Sequence, residues 1–410
     1  MNKFIPKPYK LFNKIQHYEW GTKNENAFIP QFLDIRAQKD IPYAELWIGA
    51  HPKAPSEVEF YGKRISLNKL IKEFPEECLG NCVSNKFSNQ FPFLLKVLSA
   101  GKALSIQTHP NKQQAEKLHG EDPKNYPDDH HKPEIAIAID SLDAIAGFRP
   151  INEIIKNLKE LVELKKFTGE EIIEKILSSK DEKEIKKFIN ELYSTVMKKA
   201  DEKVELSNCM NEIQKRLQDK ESLTIEEEQF LQQYKLFGAD IGLLSFFFFN
   251  IIHLKTGQAI FTDAGVPHAY MKGNIIECMA NSDNVVRAGL TNKFKDVKTL
   301  LEIVKYEFDN FQIINAEQRE DEIIYKTKAE EFEVSAYKKK IGFNRKIMNN
   351  NKPSVYLIIN GEMDVRWTYE GKNYKEEFSK GEALLIPACL DEYEIFVTGE
   401  ANYIVVKIPE

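Results

Sequence analysis

The chain has 410 residues, of which 42% are apolar and 29% charged, and its formal net charge is −6. That length supports two or three domains with real cores in a soluble globular protein. The acidic balance argues against nucleic acid as a main partner, while leaving room for a local basic pocket that takes a small anion.

No apolar run reaches the ~18–20 residues of a membrane helix, so no membrane partner is expected. The opening Met1-Asn-Lys-Phe4 lacks the apolar stretch of a signal peptide. Five cysteines without regular spacing fit free thiols in a reducing cytoplasm. The expected location is therefore cytoplasmic.

In chain order, residues 1–150 hold short strand-like runs broken by Pro, Gly and Asn, clearest at 44–48, 91–98, 104–108 and 135–139. Short helices are predicted at 69–74 and 112–119, the second opening on Asn111 as its N-cap. Between 150 and 240 the pattern turns helical. Ile154, Leu158, Leu161 and Leu164 follow helical spacing, as do Ile172 with Ile176 and Ile185 with Ile189 and Leu192. Thr168 with Glu171 and Thr224 with Glu227 have capping-box spacing. Lys and Glu cover the other faces, which reads as solvated surface.

Past that block the β character returns. The apolar run 243–252 reads as a buried strand, followed by strands at 258–262, 274–278 and 285–287 and a helix at 294–308. The last ninety or so residues read as strands at 331–338, 354–360, 362–369, 383–386, 394–397 and 401–408, with Asn360-Gly361 and Glu370-Gly371 as hairpin signals. A weak internal echo links Lys255-Thr-Gly-Gln-Ala-Ile-Phe261, leading to Pro267-His268, with Lys380-Gly-Glu-Ala-Leu-Leu-Ile386, leading to Pro387-Ala388. Each resembles the Gly turn and strand of a cupin jelly roll. The fold class expected is mainly β: cupin barrels with an inserted all-α helical domain. The domains are 1–150 plus 241–320 (catalytic), 151–240 (helical insert) and 321–410 (a second barrel). No histidine follows His268, so the second barrel is expected to be metal-free.

The chemistry gathers around Ser105-Ile-Gln-Thr-His-Pro110. Gln107 and His109 are two apart, so a strand presents both side chains on one face. Glu134 opens an apolar strand, where a carboxylate without a partner is unfavourable, and His268 sits between Pro267 and Ala269. Together these four supply two imidazoles, a carboxylate and an amide oxygen, a set that leaves a catalytic zinc one open position. Lys96 is a charge inside the apolar run Pro92-Phe-Leu-Leu-Lys-Val-Leu98, Ser105 shares the face of Gln107, and Lys132 adjoins Glu134. Arg287 suits a carboxylate, a phosphate or a developing enediolate, or pairs with Asp283 as a surface salt bridge.

Eight motifs occur in the order seen in type I mannose-6-phosphate isomerases, which this chain resembles up to roughly residue 305. They are Tyr18-Glu-Trp-Gly21, Ala44-Glu-Leu-Trp-Ile-Gly49, Pro92 to Leu98, Ser105 to Pro110, Lys132-Pro-Glu134, Pro267-His-Ala-Tyr270, Glu277-Cys-Met-Ala280 and Ser282 to Gly289. The resemblance implies one zinc ion on Gln107, His109, Glu134 and His268. It places Arg287 at the reactive end of the substrate with Glu277 in the same pocket, and it has Lys96, Ser105 and Lys132 help hold the sugar phosphate. The implied reaction interconverts mannose 6-phosphate and fructose 6-phosphate through a cis-enediol. Glu277, His131 and Asp283 are the favoured candidate acid–base groups, with a zinc-bound hydroxide as the alternative, and Lys132 serves ring opening. A monomer is expected. The competing readings are a cupin that binds a sugar without turning it over and an iron cupin using His109, His268 and Glu134 for oxygen chemistry.

Overall fold

The computed structural model describes residues 3–308, 311, 313–314, 316–320 and 322–409. Antiparallel sheets dominate. The first holds the strands Lys14–Gln16, Glu45–Gly49, Phe93–Ala100, His268–Ala280, Glu134–Phe148 and Ala259–Thr262 side by side. A second sheet, in the last third of the chain, has Ala383–Ile386, Ser354–Asn360, Ala401–Lys407 and Glu333–Lys339 at its heart, and a third holds Asn344–Met348, Glu392–Val397, Glu362–Tyr369 and Lys372–Ser379.

Side-chain parity on the first sheet decides where the chemistry lies. Leu95, Val97, Ile135, Ile137, Ile276 and Cys278 face a core shared with Val355, Leu357, Leu385, Ile404 and Val406 of the second sheet. Residues one step out of phase (Lys96, Glu277, Ala136) face the other way. Because the central strands are covered on both faces, they read as continuous apolar runs instead of alternating ones. Within such a run Lys96 stands out as the anomaly.

The strand Glu134–Phe148 and the strand Phe249–Lys255 pair with each other, and between them the chain passes through helices that include Ile151–Glu160, Glu182–Lys198, Lys203–Gln218 and Ile225–Phe237. Ile154, Leu158, Leu164, Ile176, Ile189 and Leu192 all point into one core, which also takes Phe148, Phe246, Phe249 and Leu300. The predicted spacing thus marks the buried faces correctly. The helix Lys112–Glu121 opens on Asn111, whose side chain accepts from the Gln114 N–H at 2.9 Å while the Gln114 side chain accepts from the Asn111 N–H. The Thr224 N–H likewise donates to Glu227 at 2.9 Å.

Four expectations need correction. Thr168 is no N-cap: it ends the helix Val162–Thr168, and its hydroxyl bonds the Leu164 carbonyl, so the Gly169 that follows takes the turn. The run 243–252 is not one strand but a 3-10 segment, Ile241–Phe247, followed by the strand Phe249–Lys255. An unbroken apolar run has no periodicity with which to tell the two apart. The helix expected at 294–308 is confined to Val297–Ile303, capped by Asp296, which accepts from the Thr299 N–H. Asn360-Gly361 joins strands of different sheets and so turns a corner of the sandwich. Gly361 has φ 78°, and a Cβ there would meet the Glu400 carbonyl at 1.8 Å. By contrast Glu370-Gly371 closes the hairpin of Glu362–Tyr369 with Lys372–Ser379.

The echo has a structural counterpart. Gly257 and Gly381 have φ of 80° and 82° and lead into Ala259–Thr262 and Ala383–Ile386. The first strand, Tyr9–Leu11, crosses to pair with Ala383, Leu384 and Leu385, tying the chain's start to its last third.

Candidate active site

Strand pairing assembles the site. Trp47 lies opposite Lys96, Lys96 opposite Glu277 and Glu277 opposite Ala136, giving one row across four strands. Gln107 lies opposite both His268 and Arg287 on its two neighbours. A cavity of about 470 Å³ opens over this face and is lined by Gln107, Glu134, Lys96, Lys132, Ser105, Glu277, Asp283 and Arg287. Of the residues expected in a site, only His131 is directed elsewhere, while His109 and His268 lie buried beneath the cavity beside Glu134.

The metal-binding group is His109, Glu134 and His268, all buried, with their ligand atoms within 4.8 Å of one another. The Nε2 atoms lie 3.5 Å (His109) and 3.1 Å (His268) from the same Glu134 oxygen. Each ring has its Nδ1 on a backbone carbonyl, His109 on Asn284 at 2.7 Å and His268 on Val266 at 3.0 Å. An Nδ1 beside a carbonyl must carry the proton, so in a neutral ring Nε2 is a lone pair. Two lone pairs therefore converge on a carboxylate oxygen. Burial pushes the His109 pKa down to about 4, against the pull of Glu134, so protonation of that ring does not resolve the conflict at neutral pH. A divalent cation does, and the donor set suits zinc. Gln107, on the strand Ile106–Thr108, lines the cavity and pairs along the backbone with His268.

Around this centre three buried carboxylates meet two buried ammoniums. Lys96 Nζ lies 2.7 Å from Glu277 and 3.7 Å from Glu45. Lys132 Nζ lies 2.9 Å from the second oxygen of Glu134. Burial works against the Lys96 charge, but Glu277, Glu45 and Glu134 outweigh it and its pKa is raised. Glu277 is raised above the ordinary carboxylate range by burial, with Glu134 and Glu45 adding to it and Lys96 opposing. Asp283 behaves oppositely. Burial would raise it, but hydrogen bonds and charge from His51 and Lys53 hold it well below its usual range. Its contacts are Lys53 at 2.9 Å and His51 at 3.5 Å, so the alternative of an Asp283–Arg287 salt bridge is set aside. Arg287 is half-buried, its pKa lowered by burial, and it makes no ion pair among the described residues.

His131 bonds Glu331 at 2.7 Å, one residue out of step with Lys132 and away from the cavity lining. That hydrogen bond raises its pKa above 6.5, with burial opposing. A pKa raised in the folded state stabilises fully below the unfolded value of 6.5 and is lost as pH rises through the folded value. The melting temperature of the protein should therefore fall relative to that of His131→Gln between pH 6 and pH 8. Parallel curves for the two proteins would contradict this.

Several site residues carried no role in the sequence reading. Glu45 sits in an apolar strand as anomalously as Lys96 does, and that was its signal. Asn284 is fully buried; its side chain donates to the carbonyls of Asp128 (2.7 Å) and His130 (3.0 Å), which fixes the carbonyl that orients His109. Asp128 in turn accepts from Ser282 and from the Asp283 N–H, each at 2.7 Å. Burial, and then the charge of Glu277, pushes the Tyr270 hydroxyl far above its ordinary pKa, so it stays a neutral donor at the cavity wall. Leu236 and Phe237, at the end of the helix Ile225–Phe237, line the mouth.

Comparison with known proteins agrees with this geometry. The family described as phosphomannose isomerase type I, catalytic domain, matches over residues 9–151. Mannose-6-phosphate isomerase of Mus musculus is 39% identical over 314 residues, 73% of this chain and 74% of that protein. Mannose-6-phosphate isomerase 2 of Arabidopsis thaliana is 35% identical over 413 residues, 95% of this chain and 90% of that protein. A crystal structure of zinc-bound mannose 6-phosphate isomerase superposes with a TM-score of 0.83 at 27% identity, covering 97% of this chain and 98% of the other. A variant of phosphomannose isomerase from Salmonella typhimurium does so with a TM-score of 0.85 at 27% identity, covering 98% of this chain and 100% of the other.

Proposed function

This chain belongs to the mannose-6-phosphate isomerases, and from that premise we propose that Glu277 carries the proton between C1 and C2 while Arg287 holds the charge that develops on the sugar oxygens. The reaction is the zinc-dependent interconversion of mannose 6-phosphate and fructose 6-phosphate through a cis-enediol. What carries this reading is one observation: two imidazole lone pairs and a carboxylate converge beside a cavity that also holds a buried Lys–Glu pair and an arginine with no ion pair among the described residues. A site that only binds a sugar has no need of this set. Gln107 as a further neutral oxygen donor favours zinc over an iron centre doing oxygen chemistry.

Gln107, His109, Glu134 and His268 would hold the zinc, which would supply Lewis acidity toward the sugar's oxygens. The chain's own groups do the rest. A general base works best with a pKa near the working pH. Burial raises Glu277 in that direction, whereas Asp283, held low by His51 and Lys53, is the weaker base and serves as fixed negative charge. Lys96, 2.7 Å away, holds the Glu277 carboxylate in position. Lys132, bonded to Glu134, is near enough to the cavity to assist ring opening. Ser105, Lys96, Lys132 and Arg287 are the proposed contacts to the sugar phosphate.

The architecture is read as cupin jelly rolls: a catalytic barrel (1–150 with 241–320), an inserted all-α unit (151–240) and a second barrel (321–410). The paired positive-φ glycines of the echo and a core built from residues 356–405 alone support the second barrel. The protein is further read as a cytoplasmic monomer without nucleic-acid partners. The net charge of −6 supports the last point, and no helix among the described residues is long and apolar enough to cross a membrane.

Proton transfer is tested in deuterated water. Some of the fructose 6-phosphate formed from mannose 6-phosphate should carry solvent deuterium at C1, and Glu277→Gln should lower kcat by ~10²–10⁴-fold. Full turnover without any deuterium in the product would point to a hydride shift and remove Glu277 from its role.

A further inference from the structure

The geometry points to a second small-molecule site, at the open end of the C-terminal sandwich, that binds a phosphorylated sugar without turning it over. A cavity of about 560 Å³ opens there, lined from one sheet by Glu333–Lys339, Ser354–Asn360 and Ala401–Lys407 and from the other by Asn344–Met348 and Glu392–Val397. It shares no lining residue with the catalytic cavity.

Its floor is polar where a structural core would be apolar. The Tyr356 and Tyr393 hydroxyls, from opposite sheets, are 2.6 Å apart. Ser354, 6% exposed, lies beside them and also lines the cavity, so three hydroxyls are grouped at its floor where a ligand's hydroxyls could meet them. Above the floor the Tyr337 and Tyr403 rings stack at 5.0 Å and 13°. Such an aromatic surface suits the C–H face of a sugar ring.

The rim is cationic. Six Lys or Arg side chains line the cavity against two carboxylates, in a chain whose net charge is −6. Four of the six are matched: Lys407 with Glu333 (3.0 Å), Lys346 with Glu392 (2.7 Å), and Lys326 (2.7 Å) and Arg319 (2.6 Å) with Glu317. Arg345 makes no ion pair or hydrogen bond among the described residues, and Lys352 meets only the Pro409 carbonyl, at 2.5 Å. An unmatched guanidinium and an ammonium lining one cavity are the kinds of group that bind phosphate. The lining has no histidine or cysteine, so binding, not catalysis, is the role assigned.

Calorimetric titration of the zinc-loaded full chain with fructose 6-phosphate should resolve two binding events. Arg345→Ala, at an exposed position, should weaken one at least tenfold and leave kcat/KM unchanged. Tyr393→Phe should weaken that same event, and Arg287→Ala should weaken the other. A single event in the wild type, or two events untouched by Arg345→Ala, overturns the proposal. Inorganic phosphate binding through Arg345 as tightly as the sugar phosphate overturns it too, because the cavity would then be an anion patch.

Discussion

His268→Ala is expected to abolish stoichiometric zinc binding and to lower kcat/KM by on the order of 10³-fold or more, the loss of several kcal/mol of transition-state charge stabilisation. His268 and His109 approach the same Glu134 oxygen from two sides, so neither imidazole has a substitute among the described residues. The backbone around the change is held independently, His268 pairing with Gln107 on one side and Ala146 on the other. Glu134 keeps Lys132 as a partner. The variant should therefore fold, with some loss of stability from the space left by a buried ring. Metal content, circular dichroism and a coupled assay on one preparation check this. A folded, zinc-free His268→Ala protein with wild-type turnover would end the zinc account.

Arg287→Ala is expected to lower kcat by ~10²–10³-fold, typical of removing one group aimed at developing charge, and to leave the melting temperature unchanged or higher. Arg287 is half-buried, and among the described residues nothing negative pairs with it. A desolvated cation without a partner opposes folding, so deleting it relieves the fold. That combination, activity lost and stability kept, separates a working residue from a structural one. A fall of many degrees with activity following in parallel would assign Arg287 to the scaffold.

The residues proposed to hold the metal were legible because their signals are local. The two-residue spacing of Gln107 and His109 and the misplaced carboxylate of Glu134 are visible without a partner. The helical faces of 151–240 were legible for the same reason, since spacing alone sorts Ile154, Leu158 and Ile189 from their charged neighbours. What escaped was long-range. Lys96 announced itself as a buried charge, but its partner Glu277 lies 181 residues away and is delivered by strand register. The carbonyl of Asn284 that orients His109, 175 residues off, carries no side-chain signature at all. His131 looked like a third histidine beside the site, yet one step of alternation turns it to Glu331. The run 243–252 failed for a different reason, because uniform apolarity carries no period.

The most direct test of the account is to assay purified protein for conversion of mannose 6-phosphate to fructose 6-phosphate before chelation, after it, and after zinc is added back. Activity that disappears with the metal and returns in proportion to one zinc per chain is the predicted result. A protein that holds zinc and binds the sugar phosphate but never converts it would contradict the assignment and leave a binding protein in its place.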